Sequence, residues 1–358
     1  MSGPSPARNW GIVNGPRSLP VALSVAAGGQ LRHALALERC FGGPEMRWSD
    51  ILIARMRRHA GGCVTAVEIA LRLEMTDRFP ALAPLVEAVA DGHCWRQVQE
   101  EPSLLGAALL DHFRDRAAIG LMQQDDILDV AGEMTEADIF PRGLVDSLTA
   151  LLLGQTGWAD NGPDETSMRA DLPAEMMTDL VWTVAAIFAD ALIRQGAASD
   201  AGIVQMVDLA GNALAGRHDE EGAPFALASL IAHRLRGEKI GDDHLLSLAR
   251  GRQVLLLLAI IADRTGIDLL LLVRTVVEGT EQTLFTLCRA ADFPREVAVR
   301  LVLGRRCVAR GVDDSVLVEF ADRYDHLSVE EAVSAVSSLC AAQPLRAKLS
   351  LLDRMNRA

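Results

Sequence analysis

Lysine is almost missing from this chain of 358 residues; Lys239 and Lys348 are the only two, so nearly all positive charge is arginine. A phosphate-cradling G-x-x-x-x-G-K-[ST] loop needs a lysine in a fixed frame, and neither lysine stands in one. Aromatic residues make up only 4%, with a single tyrosine. The six cysteines, Cys40, Cys63, Cys94, Cys288, Cys307 and Cys340, include no C-x-x-C pair and match no zinc or disulfide framework. They read as buried thiols in a reducing compartment. Frames of the type G-x-S-x-G, H-E-x-x-H and G-x-G-x-x-G are absent too, and no catalytic residue is predicted.

Long apolar runs are also lacking. The most apolar one, Val254 to Ala262, is closed by Asp263 and Arg264, whereas a membrane span needs about twenty apolar residues. Leu19 to Ala27 imitates a signal peptide, but Pro20 interrupts it. The expectation is a cytoplasmic protein without a membrane span. His59 and Cys63 stand four apart and His93–Cys94 follow, yet Arg57 and Arg58 would repel a cation and Gly61–Gly62 read as a helix end. No metal site and no cofactor are predicted from these residues.

What is present in quantity is acid, unevenly placed. The net charge is −13, and between Asp125 and Asp179 thirteen acids face only Arg142 and Arg169. Such a chain repels phosphate backbones, which disfavours general nucleic-acid binding, although Arg55, Arg57 and Arg58 and Arg305, Arg306 and Arg310 form local basic clusters. The acidic stretch suits a solvated linker or a face for a basic partner.

Half of the residues are apolar, enough to bury a core. Residues 1–18, rich in proline and glycine, read as a tail. From Leu19 onward the apolar spacing is helical. Ser49 is placed to cap a helix that stops at Gly61–Gly62, followed by helices over 63–75, 82–91 and 104–123, the last with Leu105, Ala108, Leu109 and His112–Phe113 on its buried face. Residues 19–155 form an N-terminal helical region, 156–170 an acidic loop and 171–358 a C-terminal helical region. The clearest helix runs from Asp171 to Gly196, with Met177, Leu180, Val181, Val184, Phe188 and Leu192 on one side. Further helices are predicted at 199–214, 223–236, 242–249, 253–264, 267–277, 280–291, 294–309, 314–324, 328–341 and 345–356.

Leu258, Ala259, Ile261, Ala262, Gly266, Ile267 and Leu271 correspond, at a shift of 26 residues, to Leu284, Phe285, Leu287, Cys288, Asp292, Phe293 and Val297. No window alternates as a strand does. The fold class is therefore all-α, a helical-repeat-like array of stacked helix pairs, as an α-solenoid or irregular multi-helix bundle.

The one pattern that carries chemistry is Asp125-Asp126-Ile127-Leu128-Asp129. On a helix Asp125 and Asp129 share a face, and such carboxylates hold Mg²⁺ ions that bind diphosphate. Gln124 to Val130 resembles the second aspartate-rich motif of polyprenyl diphosphate synthases. The upstream aspartate-rich motif of that family is missing, however, and no lysine occurs before Lys239. Aspartates near a helix start are the plain alternative. Trp182 is placed for core or groove packing, whereas Trp10 and Trp158 fall outside the predicted helices, as partner anchors or folded back onto the surface.

Arg169-Ala170-Asp171-Leu172-Pro173-Ala174-Glu175, with Leu180-Val181-Trp182 and Val184-Ala185-Ala186, resembles the bacterial family called domain of unknown function 2336. Leu287 to Val297 is similar to that family's closing helix pair, with Asp292 where a glycine is usual, which predicts a looser turn. The resemblance covers roughly 170–305. It implies an all-helical, repeat-like fold and assigns no catalytic residue or cofactor.

The expectation is thus a non-enzymatic regulatory or scaffolding protein that takes a partner segment into an apolar groove with charged rims. The alternative is a Mg²⁺-dependent diphosphate- or nucleotide-binding protein, or an isoprenoid-type enzyme, using Asp125, Asp126 and Asp129. A homodimer of the helical array is a third expectation.

Overall fold

A computed structural model describes residues 49–124, 142–159, 162–195, 200–236, 240–308 and 314–342, together with 345–346, 348–349 and 352. Among the described residues there are fifteen α-helices and no strand. They are α1 (Asp50–Arg78), α2 (Ala83–Ala88), α3 (His93–Glu100), α4 (Ala107–Gln123), α5 (Val145–Gln155), α6 (Ala174–Arg194), α7 (Asp200–Gly216) and α8 (Pro224–Leu235). After them come α9 (Asp242–Arg250), α10 (Val254–Thr265), α11 (Leu269–Glu278), α12 (Glu281–Ala290), α13 (Arg295–Arg305), α14 (Asp314–Tyr324) and α15 (Val329–Val336).

The caps follow local chemistry. Ser49, Asp268, Thr280 and Ser328 each accept a hydrogen bond from a first-turn amide of α1, α11, α12 and α15. Ser328 and Glu331 complete a capping box.

Helix α1 departs from the sequence reading. It passes through Gly61–Gly62 without a break. The glycines are there because another segment lies on them. A Cβ at Gly61 would sit 2.5 Å from the carbonyl oxygen of Asp164, and one at Gly62 would sit 2.6 Å from Cβ of Met168. The Met168 amide donates to the Gly62 carbonyl at 2.9 Å. Residues 162–173 carry no helix and are laid against α1 by these contacts.

Helix α4 is the centre of the molecule. It packs against α1 and α6 on one side and against α10, α11 and α13 on the other. Every residue from His112 to Met122 is buried, so no outward face remains. The single apolar face expected for this helix is therefore wrong, because neighbours enclose it all round. Its charged residues must then find partners inside the protein.

The C-terminal helices stack as pairs. In α10–α11 and α12–α13 the 26-residue correspondence is geometric as well as sequential. Gly266 (φ +72°) and Asp292 (φ +52°) are both left-handed, Ile267 and Phe293 are buried behind them, and Asp268 and Pro294 open the next helices. The turn at Asp292 is closed, not loose. Phe293 donates to the Cys288 carbonyl and Asp292 to that of Arg289, both at 3.0 Å. Aspartate tolerates this conformation better than most side chains do.

Arginines tie successive layers together. Arg236 donates to the Asp263 carbonyl, Arg264 to that of Ala291 at 2.9 Å, and Arg289 to that of Leu327 at 2.7 Å. Arg264 and Arg289 also lie over the rings of Phe293 and Tyr324. A planar five-donor group can cap a carbonyl and cover a ring together, which lysine cannot do.

By length and composition α6 is apolar enough to cross a membrane, with a mean hydropathy of 1.6 over 18 residues. It is not the Val254–Ala262 run, the most apolar one in the sequence. In the fold, Leu180, Val181, Val184 and Phe188 of α6 are buried and the helix packs on α7 and α1, with 44% of its apolar window buried inside the protein.

Candidate functional site

Two polar features stand out, a sealed seam along α4 and an open cleft beside α10 and α11. In the seam, Arg116 forms an ion pair with Asp171 at 2.9 Å and lies 5.1 Å above the Trp158 ring. Trp158 is 1% exposed, so it is folded inward and anchors no partner. Two residues earlier, on the other side of the helix, Arg114 meets Asp115 at 2.8 Å, Glu278 at 2.5 Å and Asp111 at 3.2 Å. Arg274 of α11 completes this cluster at 3.2 Å from Asp111. The seam thereby joins α4 to α11 and to the segment that enters α6.

Burial dominates its protonation. It holds His59 and His112 well below the usual imidazole range, with Arg116 reinforcing both. It pushes the Cys63 thiol up to about 11 despite Arg116. Asp115 is raised to about 6 by burial, against the pull of Arg114 and Arg274. Neutral imidazoles and an un-ionised thiol enclosed in the core supply no accessible nucleophile or base. His59 and Cys63 do share a face of the continuous helix α1, but Arg116 and the Trp158 carbonyl are their neighbours. Among the described residues no group of three or more His, Cys, Asp or Glu is arranged to hold a metal ion. Asp125, Asp126 and Asp129 lie outside the described residues, as does Trp10. Trp182 packs over Gly211 of α7, where a Cβ would meet its ring at 2.9 Å.

The cleft encloses about 870 Å³. One wall is made by the end of α10, the turn at Gly266 and the first half of α11. The other is made by Leu339–Ala342 and Arg346, and Ala108, Glu175 and Ser229 approach its edges. Its lining is mainly small or aliphatic, including Ala259, Ala262, Leu270 and Leu271. Three arginines reach it. Arg236 grips Asp263 with two hydrogen bonds of 2.7 and 2.8 Å, and Arg274 is engaged by Asp111. Arg346 is 7% exposed, and its Nε and Nη1 have no acceptor. Asp268 is occupied as the cap of α11, accepting from the Leu271 amide at 3.0 Å. Cys340 is exposed on this wall and donates to the Thr265 carbonyl at 3.3 Å.

Sequence reasoning missed this site. Its residues come from seven separate stretches between Ala108 and Arg346, and no local motif links them. The acids of the 125–179 stretch that the structure does describe are partly neutralised from within. Asp164 faces Arg57 at 3.6 Å, and Asp171 is buried on Arg116.

No curated protein and no solved structure matches this chain. Residues 163–337 match the model of a family described as an uncharacterised protein conserved in bacteria, DUF2336. The match begins in the segment laid on α1 and ends just past α15, so it takes in the stacked pairs and most of the cleft. Over residues 163–337, then, this chain is similar to the bacterial family DUF2336.

Proposed function

We propose that this protein is a non-enzymatic regulatory or scaffolding protein of the cytoplasm, and that it binds a segment of a protein partner in the cleft between α10, α11, Leu339–Ala342 and Arg346. The observation that carries this reading is the cleft itself. It is large, walled by small and aliphatic side chains, and edged by charges, which is the composition of a groove for a peptide segment. The ionisable groups inside the protein serve packing, since the histidines and Cys63 of the seam are sealed from solvent. The stacked pairs supply rigid walls, so a segment can dock without ordering the site first.

Ser229 is exposed at the edge of the cleft, so Ser229→Trp fills the entrance without disturbing the core. The test compares wild type and Ser229→Trp as baits in native lysate. A partner retained by the wild type and lost from the variant supports the reading. A partner held equally by both, or none enriched over an unrelated helical protein, removes it.

A further inference from the structure

Of the three guanidinium groups at the cleft, two already have carboxylate partners within the chain. Arg236 holds Asp263, and Arg274 holds Asp111. Arg346 has none. Its side chain is more than nine-tenths buried on the cleft wall, yet Nε and Nη1 meet no acceptor. Asp268 is close enough to act on it electrostatically, but among the described residues no hydrogen bond or ion pair joins the two, and Oδ1 of Asp268 accepts from the Leu271 amide. A guanidinium stays charged at any physiological pH, and a buried charge without a partner is costly. The planar fork of Nε and the two Nη atoms matches a carboxylate side-on or end-on. The same cleft is lined by Leu270 and Leu271, both half-buried, which offer aliphatic surface.

We propose that Arg346 is the anchor for a carboxylate, and that the occupant of the cleft is an acidic peptide segment with an apolar side chain next to its acid. The apolar side chain packs against Leu270 and Leu271 while the acid seats on Arg346. A basic segment would bring a second positive charge to a guanidinium that no carboxylate grips directly. The inference rests on the partner-binding reading of the cleft and adds the chemistry that is recognised there.

The test selects random twelve-residue peptides on the full-length protein from a display library, then measures their affinity for wild type, Arg346→Gln and Arg346→Lys. Iodoacetamide labelling of Cys340, read by peptide mass spectrometry, reports whether a selected peptide occupies the cleft. Circular dichroism and the thermal midpoint confirm that the variants fold. The expected result is peptides that carry Asp, Glu or a required free C-terminus and that shield Cys340. Their affinity should fall about tenfold or more on Arg346→Gln, as for loss of one charge-assisted hydrogen-bond pair, and less on Arg346→Lys. Peptides that shield Cys340 but lack an acid, or that bind Arg346→Gln as tightly, overturn the carboxylate anchor and leave the cleft reading standing. Selected peptides that never shield Cys340, or no selected peptides at all, overturn both.

Discussion

Arg116 of α4 and Asp171, just ahead of α6, meet at 2.9 Å with both side chains almost wholly buried. Their pairing fixes the segment that crosses α1, and it does so in the interior. Removing one partner leaves an unpaired buried charge, which costs about 3–5 kcal/mol. Arg116→Met and Asp171→Leu should each lower stability by that order in urea unfolding. The double variant should lose clearly less than the two single losses added together, since an apolar pair leaves no orphan charge. Additive losses would mean that the two groups do not interact.

Gly61 is expected to reject even a methyl group. In an ordinary helix interior, Gly→Ala stabilises by about 1 kcal/mol. Here the added Cβ collides with the Asp164 carbonyl and the Trp95 ring. Gly61→Ala should therefore destabilise the protein and speed proteolytic cleavage within 162–171. Limited proteolysis with mass mapping checks this.

At Asp292 the expected sign is opposite. The residue holds φ +52° at a position where its counterpart 26 residues earlier is Gly266. Asp292→Gly should be neutral or stabilising by up to about 1 kcal/mol, and Gly266→Ala should cost about 1 kcal/mol through backbone strain alone. Nothing lies within 4 Å of a Cβ at Gly266, so thermal unfolding of the two variants reads strain without a steric clash.

His112 has no partner for either ring nitrogen and packs its ring 4.9 Å from that of Phe225. Burial holds its folded-state pKa below the ordinary 6.5. Above about 6.5 the residue is neutral in both states; as pH falls below that, the unfolded chain gains the proton first and stability is lost. The raised Asp115 works the other way, its contribution fading as pH rises through about 6. The comparison is therefore best made between wild type and His112→Phe. The variant's relative stability should improve as pH falls from 7.5 to 5, by at most about 1.4 kcal/mol per pH unit. A gap that does not change with pH would contradict burial of a neutral imidazole.

Much of the fold was legible because helix ends are local chemistry. Ser49 caps where a small oxygen-bearing side chain precedes an apolar period, and Gly266 ends α10. The 26-residue correspondence was readable for the same reason, since a left-handed turn and a buried residue behind it repeat with the pattern. Gly61–Gly62 misled because a glycine pair marks either a stop or a close approach, and only the distant Asp164 and Met168 decide which. The enclosure of α4 was hidden by its own charges, which ordinarily mark a solvent face; Arg114 and Arg116 are paired with Glu278 and Asp171 from far along the chain. The cleft left no signal at all, because Arg346 resembles any surface arginine until Leu339–Ala342 and α11 surround it.

The central claim is that a partner segment occupies the cleft. Site-specific photo-crosslinking tests it most directly, with a benzophenone side chain at Ser229 on the cleft edge and, separately, at Asp208 on the exposed side of α7. One discrete adduct from position 229 and none from position 208, in the same cells, is the predicted result. The same adducts from both positions, or no adduct from 229, would contradict the account.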